Sequence, residues 1–160
     1  MTHLLAISGS LQAQSSNTAL VHLARALGNV DIFDGLADLP YFNPDLDVEP
    51  PPAAVAELRK RLQAADGLLI ASPEYAHEMP GVLKNALDWL VSSGELYGKP
   101  VIVLCAAPSV ERGGYAREAL ARTLGAQGAR VVVSETVAVR RGETSSAAVR
   151  TAVERALTAI

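Results

Sequence analysis

Apolar residues fall along this chain in five short runs: LLAI at 4–7, VDIF at 30–33, GLLIA at 67–71, VIVLCA at 101–106 and RVVVSE at 130–135. Four of the five are nearly continuous instead of alternating, the pattern of strands covered on both faces. The segments between and after them, 17–27, 53–65, 81–92, 115–125 and 145–159, carry helical periodicity. The order βαβαβαβαβα predicts a parallel sheet with helices on both faces, because each parallel pair needs a crossover and a helix is its usual form. Gly28, Gly67, Gly94, Gly98 and Gly125 stand where helices or turns are expected to end, and Pro50 to Pro52 precede the second helix.

One segment departs from this rhythm. Residues 34–54, DGLADLPYFNPDLDVEPPPAA, exceed the usual βα loop and hold Tyr41, Phe42 and five prolines. The segment reads as an ordered surface loop placed at a subunit contact.

Length and composition narrow the class. At 160 residues the chain suits a single domain, 1–160, with one core. Its residues are 49% hydrophobic, yet no apolar run approaches the length of a membrane span. The start MTHLLAISGS has no basic region and too short an apolar run for a secretory signal, so a cytoplasmic protein is expected. A net charge of −3 without a basic cluster leaves no footprint for nucleic acid or anionic lipid, and small molecules are the expected partners. The one cysteine, Cys105, sits inside VIVLCAAP and reads as a buried strand thiol; with three scattered histidines it forms no metal-ligand spacing.

The chemistry concentrates in two loops. In open parallel sheets ligands bind beyond the carboxyl ends of the strands, where strand order reverses. The first loop, ISGSLQAQSSNTAL at 7–20, crowds Ser8, Gly9, Ser10, Ser15, Ser16, Asn17 and Thr18 before a helix without a Lys or Arg. It lacks both G-x-G-x-x-G and G-K-[ST], which excludes the dinucleotide fingerprint and the P-loop. Hydroxyls, free backbone N–H groups and the positive end of a helix dipole hold a phosphate without a formal charge. The alternative is that Ser16 or Asn17 only caps the helix, which explains one or two of the seven residues. In a sheet of order 2-1-3-4-5 the loop SPEYAHEMPGVLKNALDWL at 72–90 lies beside the first, and the two form one cleft. There Pro73 and Pro80 stiffen the turn, Gly81 admits a close backbone approach, and Tyr75 covers the face of a flat heterocycle.

With GSL at 9–11, S-x-N at 15–17, SPEY at 72–75, PGVLKNALDW at 80–89 and GG at 113–114, the chain resembles the NADPH-dependent FMN reductases, which include quinone and chromate reductases. The resemblance runs from about residue 3 to residue 158. It implies a flavodoxin-like three-layer α/β/α sandwich, bound FMN, NADPH or NADH as donor, and a quinone-like or other small acceptor. The first loop then takes the FMN phosphate through Ser10, Gln12, Ser15, Asn17 and the amide of Ser16. The ring falls to Pro73, Glu74, Tyr75 and Ala76, and its pyrimidine end to Ser109, Gly113 and Gly114. Gln12 stands where the family usually has Arg, and Ala76 where it has Asn. Family members are commonly dimers or tetramers, which implies a homodimer or homotetramer here.

No Ser-His-Asp, Cys-His or paired-carboxylate set is present, and none is needed, because flavin carries the hydride chemistry itself. No residue is therefore expected to be catalytic, and no metal is expected. Two other readings stay open: a flavodoxin-type electron carrier, whose usual strong acidity is missing, and a regulatory domain that has lost the flavin. Several side chains have competing roles. His77 and Glu78 meet the nicotinamide donor or are solvated. Glu74 receives backbone-directed flavin contacts or pairs with Arg112 of the partner subunit, and its carboxylate reads as structural and not as a proton donor. Lys84 and Asp88 form an i, i+4 pair, Trp89 packs in the core or an interface, and Arg112, Arg140 and Arg141 are candidates for a 2′-phosphate.

Overall fold

In the computed structural model, which describes residues 2–140 and 143–160, five parallel strands form one sheet in the order 2-1-3-4-5. They are β1 (Leu4–Ser8), β2 (Val30–Phe33), β3 (Gly67–Ala71), β4 (Pro100–Ala107) and β5 (Arg130–Ala138). The helices are α1 (Ser16–Leu27), α2 (Ala53–Ala64), α3 (Gly81–Asp88), α4 (Gly114–Ala126) and α5 (Ala147–Leu157). All five strands and five helices match the periodicity, with no end moved by more than four residues.

The strand pleat sorts the core into two. Leu5, Ile7, Leu68, Ile70, Val101 and Val103 pack with α2, α3 and α4 on one face. Their neighbours Leu4, Ala6, Leu69, Ala71, Ile102 and Leu104 pack with α1 and α5 on the other. A period of two thus explains why continuous apolar runs are needed, since each alternate residue faces a different helix layer. Register runs unbroken from Leu4↔Gly67 to Ser8↔Ala71 at the centre, and slips once between β4 and β5, where Val132 is left out of the pairing between Val131 and Val133.

Two expectations need correction. The third helix ends at Asp88, not residue 92. Beyond it Leu90 and Val91 donate to Leu87 and Asp88 in tighter i→i−3 turns, while the Trp89 carbonyl accepts from Arg59 Nη2 at 2.6 Å and Nε at 3.2 Å. A guanidinium from α2 has taken the carbonyl that a continuing helix would use. The 34–54 connection is also more than surface. Leu36 and Leu39 enter the core, two 3-10 turns occupy Gly35–Asp38 and Pro44–Leu46, and the Pro40 carbonyl accepts from Trp89 Nε1 at 2.8 Å and Asn85 Nδ2 at 3.0 Å. Trp89 is fully buried, edge-on to Phe42 with ring centroids 5.1 Å apart.

The far end of that connection is fixed by charge. Asp47 accepts from Arg59 Nη2 at 2.8 Å and from Ser92 Oγ at 2.5 Å. The Ser92 hydroxyl first, and the Arg59 guanidinium second, hold the Asp47 carboxyl below its ordinary value. Because the folded-state value is the depressed one, this stabilisation is present above the unfolded carboxyl pKa of about 3.9 and is lost as pH falls through the folded value. Urea unfolding of the protein and of Asp47→Asn is expected to show a midpoint gap that is constant near neutrality and closes below about pH 4.

Candidate functional site

Both chemistry-bearing loops open at the carboxyl edge of the sheet. β1 delivers the first, and its turn is tightly drawn: Gly9 N donates to Ala71 O at 2.8 Å, and a Cβ at Gly9 would lie 2.9 Å from Ser72 Oγ. Only glycine lets the two loops lie this close. Ser8 Oγ pairs with Thr18 Oγ1 at 2.7 Å, Ser10 Oγ accepts from the amide of Gln12 at 3.2 Å, and Gln12 itself is exposed. Ser15, rather than Ser16 or Asn17, caps α1, its Oγ accepting from Thr18 N at 3.3 Å. Several of the crowded hydroxyls are therefore spent on the loop itself.

Asn17 is tied to the fold as well. It is buried, and its Oδ1 accepts from Ala106 N on β4 at 2.8 Å, linking the start of α1 to the strand two positions away in the sheet. What the loop leaves open is backbone: among the described residues the amides of Ser16 and Asn17 have no partner, and the first turn of α1 carries no acidic residue. An uncapped pair of N–H groups at a helix amino end suits a phosphate.

The concave space lies farther along the edge. A cleft of about 730 Å³ is walled by Pro73, Glu74 and His77 on one side and by Gly113, Gly114 and Tyr115 on the other. Cys105, Ala106, Ala107 and Pro108 at the end of β4 line it between them. Ser10, Gln12, Ser15, Ser16, Asn17, Tyr75, Ala76 and Ser109 lie outside the lining of this cleft, which runs between the second loop and α4. Ala107 and Pro108 belong to the loop that carries Ser109, Gly113 and Gly114, whereas Ala106 and the wall at Tyr115 had no sequence sign beyond their neighbours. A Cβ at Gly81 would meet no protein atom within 4 Å.

The paired glycines do different work. Gly113 holds φ 81° at the N-cap of α4, and a Cβ on it would lie only 2.3 Å from Cys105 Sγ. Gly114, the first helical residue, would carry a Cβ into open space. Cys105 beneath them is inert: burial first, and the Glu74 charge second, push its thiol up to about 11, so it is protonated near neutrality. Glu74 Oε2 accepts from Ala116 N on α4 at 3.0 Å.

The second loop closes as a two-residue hairpin. Tyr75 and Glu78 exchange backbone hydrogen bonds of 2.9 and 3.0 Å around Ala76 and His77, whose φ angles are 51° and 63°. Both central residues thus adopt the left-handed conformation that favours Asn-Gly, and Ala76 adopts it without help from its side chain. The hairpin turns His77 onto Tyr115, the rings stacked at 4.3 Å and 28°. Ala76→Asn is expected to raise stability by about 0.5–1 kcal/mol by relieving that strain, read as a higher urea midpoint of the flavin-free protein. A lowered midpoint would show that the turn is not of this type.

The remaining candidates sort simply. Lys84 Nζ meets Asp88 Oδ1 at 2.6 Å on the exposed face of α3. Arg112 lines the cleft, Arg140 follows β5, and Arg141 lies outside the described residues. Glu78 faces Arg122 at 3.8 Å. Among the described residues no three His, Cys, Asp or Glu side chains gather as a metal ion requires, and no helix is long and apolar enough to cross a membrane.

A family model described as NADPH-dependent FMN reductase matches residues 2–144. An NAD(P)H-dependent FMN reductase of Pseudomonas aeruginosa is 42% identical over 108 residues, 64% of this chain and 58% of the relative. A quinone reductase of Escherichia coli K12 is 38% identical over 102 residues, 59% of this chain and 54% of the relative. The chain spans a little over half the length of these curated relatives. Among solved structures, the flavoenzyme NAD(P)H:(acceptor) oxidoreductase FerB from Paracoccus denitrificans superposes with a TM-score of 0.84 at 25% identity, covering 99% of this chain and 96% of that one.

Proposed function

The chain belongs to the NADPH-dependent FMN reductase family, and on that footing we propose that it is an FMN-dependent oxidoreductase that takes hydride from NADPH or NADH and passes it to a quinone-like or other small acceptor. The observation that carries this reading is the pairing, on one sheet edge, of an acid-free helix amino end having two open amides with a cleft of about 730 Å³ between the second loop, the end of β4 and the start of α4. That volume is of the size flat cofactors occupy.

Ser10, Gln12, Ser15, Ser16 and Asn17 would hold the FMN phosphate, chiefly through the amides of Ser16 and Asn17, and the exposed Gln12 is free to swing toward it. Pro73, Glu74, Tyr75, Ala76, Ser109, Gly113 and Gly114 would surround the ring, with Gly114 keeping the wall low enough for a flat edge. Bound FMN supplies the hydride chemistry, and the protein supplies binding, orientation and shielding from water. The inert Cys105 thiol agrees with a site that needs no nucleophile of its own. We further infer a single domain in a soluble, cytoplasmic homodimer or homotetramer; light scattering at working concentration that returned a monomeric mass would reject the oligomer.

Anaerobic mixing tests the activity. The FMN-loaded protein is expected to lose its visible flavin absorbance on adding NADPH or NADH alone and to regain it on adding a quinone. An electron carrier would bleach only with a separate reductase present, and a flavin-free regulatory domain would show no FMN spectrum after titration.

A further inference from the structure

We propose that Glu74 is a positioning residue: its carboxylate caps α4 from the neighbouring loop and so fixes the spacing of the two cleft walls. What those walls hold rests on the flavin reading above. Helix α4 starts without a cap of its own, because Gly113 has no side chain to offer and the first turn contains no acidic residue. The third amide of the helix, Ala116 N, is satisfied across 42 residues of chain by Glu74 Oε2 at 3.0 Å. A negative oxygen at a helix amino end also gains from the dipole.

The same two segments meet twice more. His77 stacks on Tyr115, and Glu78 faces Arg122 about two turns farther along α4. These outer contacts are between exposed groups, whereas Glu74 is the half-buried anchor nearest the β4 end of the cleft. Pro73 and Glu74 form one wall and Gly113, Gly114 and Tyr115 the other, so releasing the cap lets the walls separate where a ring would be gripped. The phosphate loop has no part in this contact. Loss of Glu74 therefore affects ligands with and without a phosphate alike.

The test uses the full chain, free of flavin, with amide exchange at Ala116 followed by NMR, and then FMN and riboflavin titrations. Glu74→Ala is expected to speed Ala116 exchange about tenfold and to weaken FMN and riboflavin by the same factor, about five- to tenfold. Glu74→Gln keeps a carbonyl acceptor and is expected to stay within about threefold of the parent in each measurement, with the pH profile of flavin reduction unmoved. Unchanged Ala116 exchange in Glu74→Ala would overturn the proposal. So would a Glu74→Gln protein that binds flavin normally but is not reduced, since that marks a proton-transfer group. If Glu74→Ala fails to fold, Glu74→Asp, one methylene shorter, carries the same comparison. A parent protein that took up no flavin would defeat the flavin reading alone, and Ala116 exchange would still decide the cap.

Discussion

Gly113→Ala is expected to lower stability by about 3 kcal/mol or more, a fall of roughly 6–12 °C in thermal midpoint for a chain of this size, while Gly114→Ala changes stability by less than about 1 kcal/mol. Two terms add at position 113. Its φ of 81° is left-handed, which costs an alanine about 1–2 kcal/mol. A new Cβ would also stand 2.3 Å from Cys105 Sγ and 3.1 Å from Cys105 Cβ, against a buried side chain of an inner strand. Overpacking of that kind costs about 1–3 kcal/mol. The double substitution Cys105→Ala with Gly113→Ala removes the sulfur but keeps the conformational term, so it should recover about half the loss; full additivity of the single effects would mean that the two positions do not touch. Calorimetry on the four flavin-free proteins decides it. At Gly114 nothing lies within 4 Å of a Cβ, so any loss there should fall on ligand binding alone.

That contrast marks where the sequence could be read and where it could not. Continuous apolar runs of four to six residues made the strands plain, because a strand buried on both faces has no polar side to hide. The alternation of Leu4, Leu5, Ala6 and Ile7 between the two core layers follows directly. Element ends were harder where a distant residue intervened. The early stop of α3 depends on Arg59 claiming the Trp89 carbonyl, and nothing in PGVLKNALDWL announces a guanidinium arriving from α2. The cap of α1 fell to Ser15 because three adjacent polar residues satisfy the same pattern and only backbone geometry chooses among them.

The site divides along the same line. Local chemistry identified the two loops, and the family resemblance supplied the GG pair. Geometry then divides the GG pair, since Gly113 is required by the fold and Gly114 faces open space. The departure at Ala76 likewise matters first as backbone strain at φ 51°, a property of turn type that composition cannot reveal. Glu74 was legible as structural, but its partner, the amide of Ala116, belongs to a helix more than forty residues away.

Asn17 is where fold and phosphate binding are expected to separate by experiment. A residue that served only a ligand could be removed from the flavin-free protein without cost. Asn17→Ala instead leaves the half-buried Ala106 N–H without its acceptor, at a cost of about 0.5–1.5 kcal/mol read from the urea midpoint. Asn17→Asp retains an oxygen for that N–H and places a negative charge in the first turn of α1, where the dipole contributes about 0.3–1 kcal/mol in its favour, so most of the stability should return. The same charge would oppose a phosphate dianion at the Ser16 and Asn17 amides. Like charges about 4 Å apart near a protein surface repel by about 4 kcal/mol, ample for a loss of tenfold or more in FMN affinity. Riboflavin, which lacks the phosphate, should bind the variant as it binds the parent. Equal weakening of both ligands by Asn17→Asp would remove the phosphate from the amino end of α1. Undiminished stability in Asn17→Ala would mean that the bond to Ala106 contributes nothing to the link between α1 and β4.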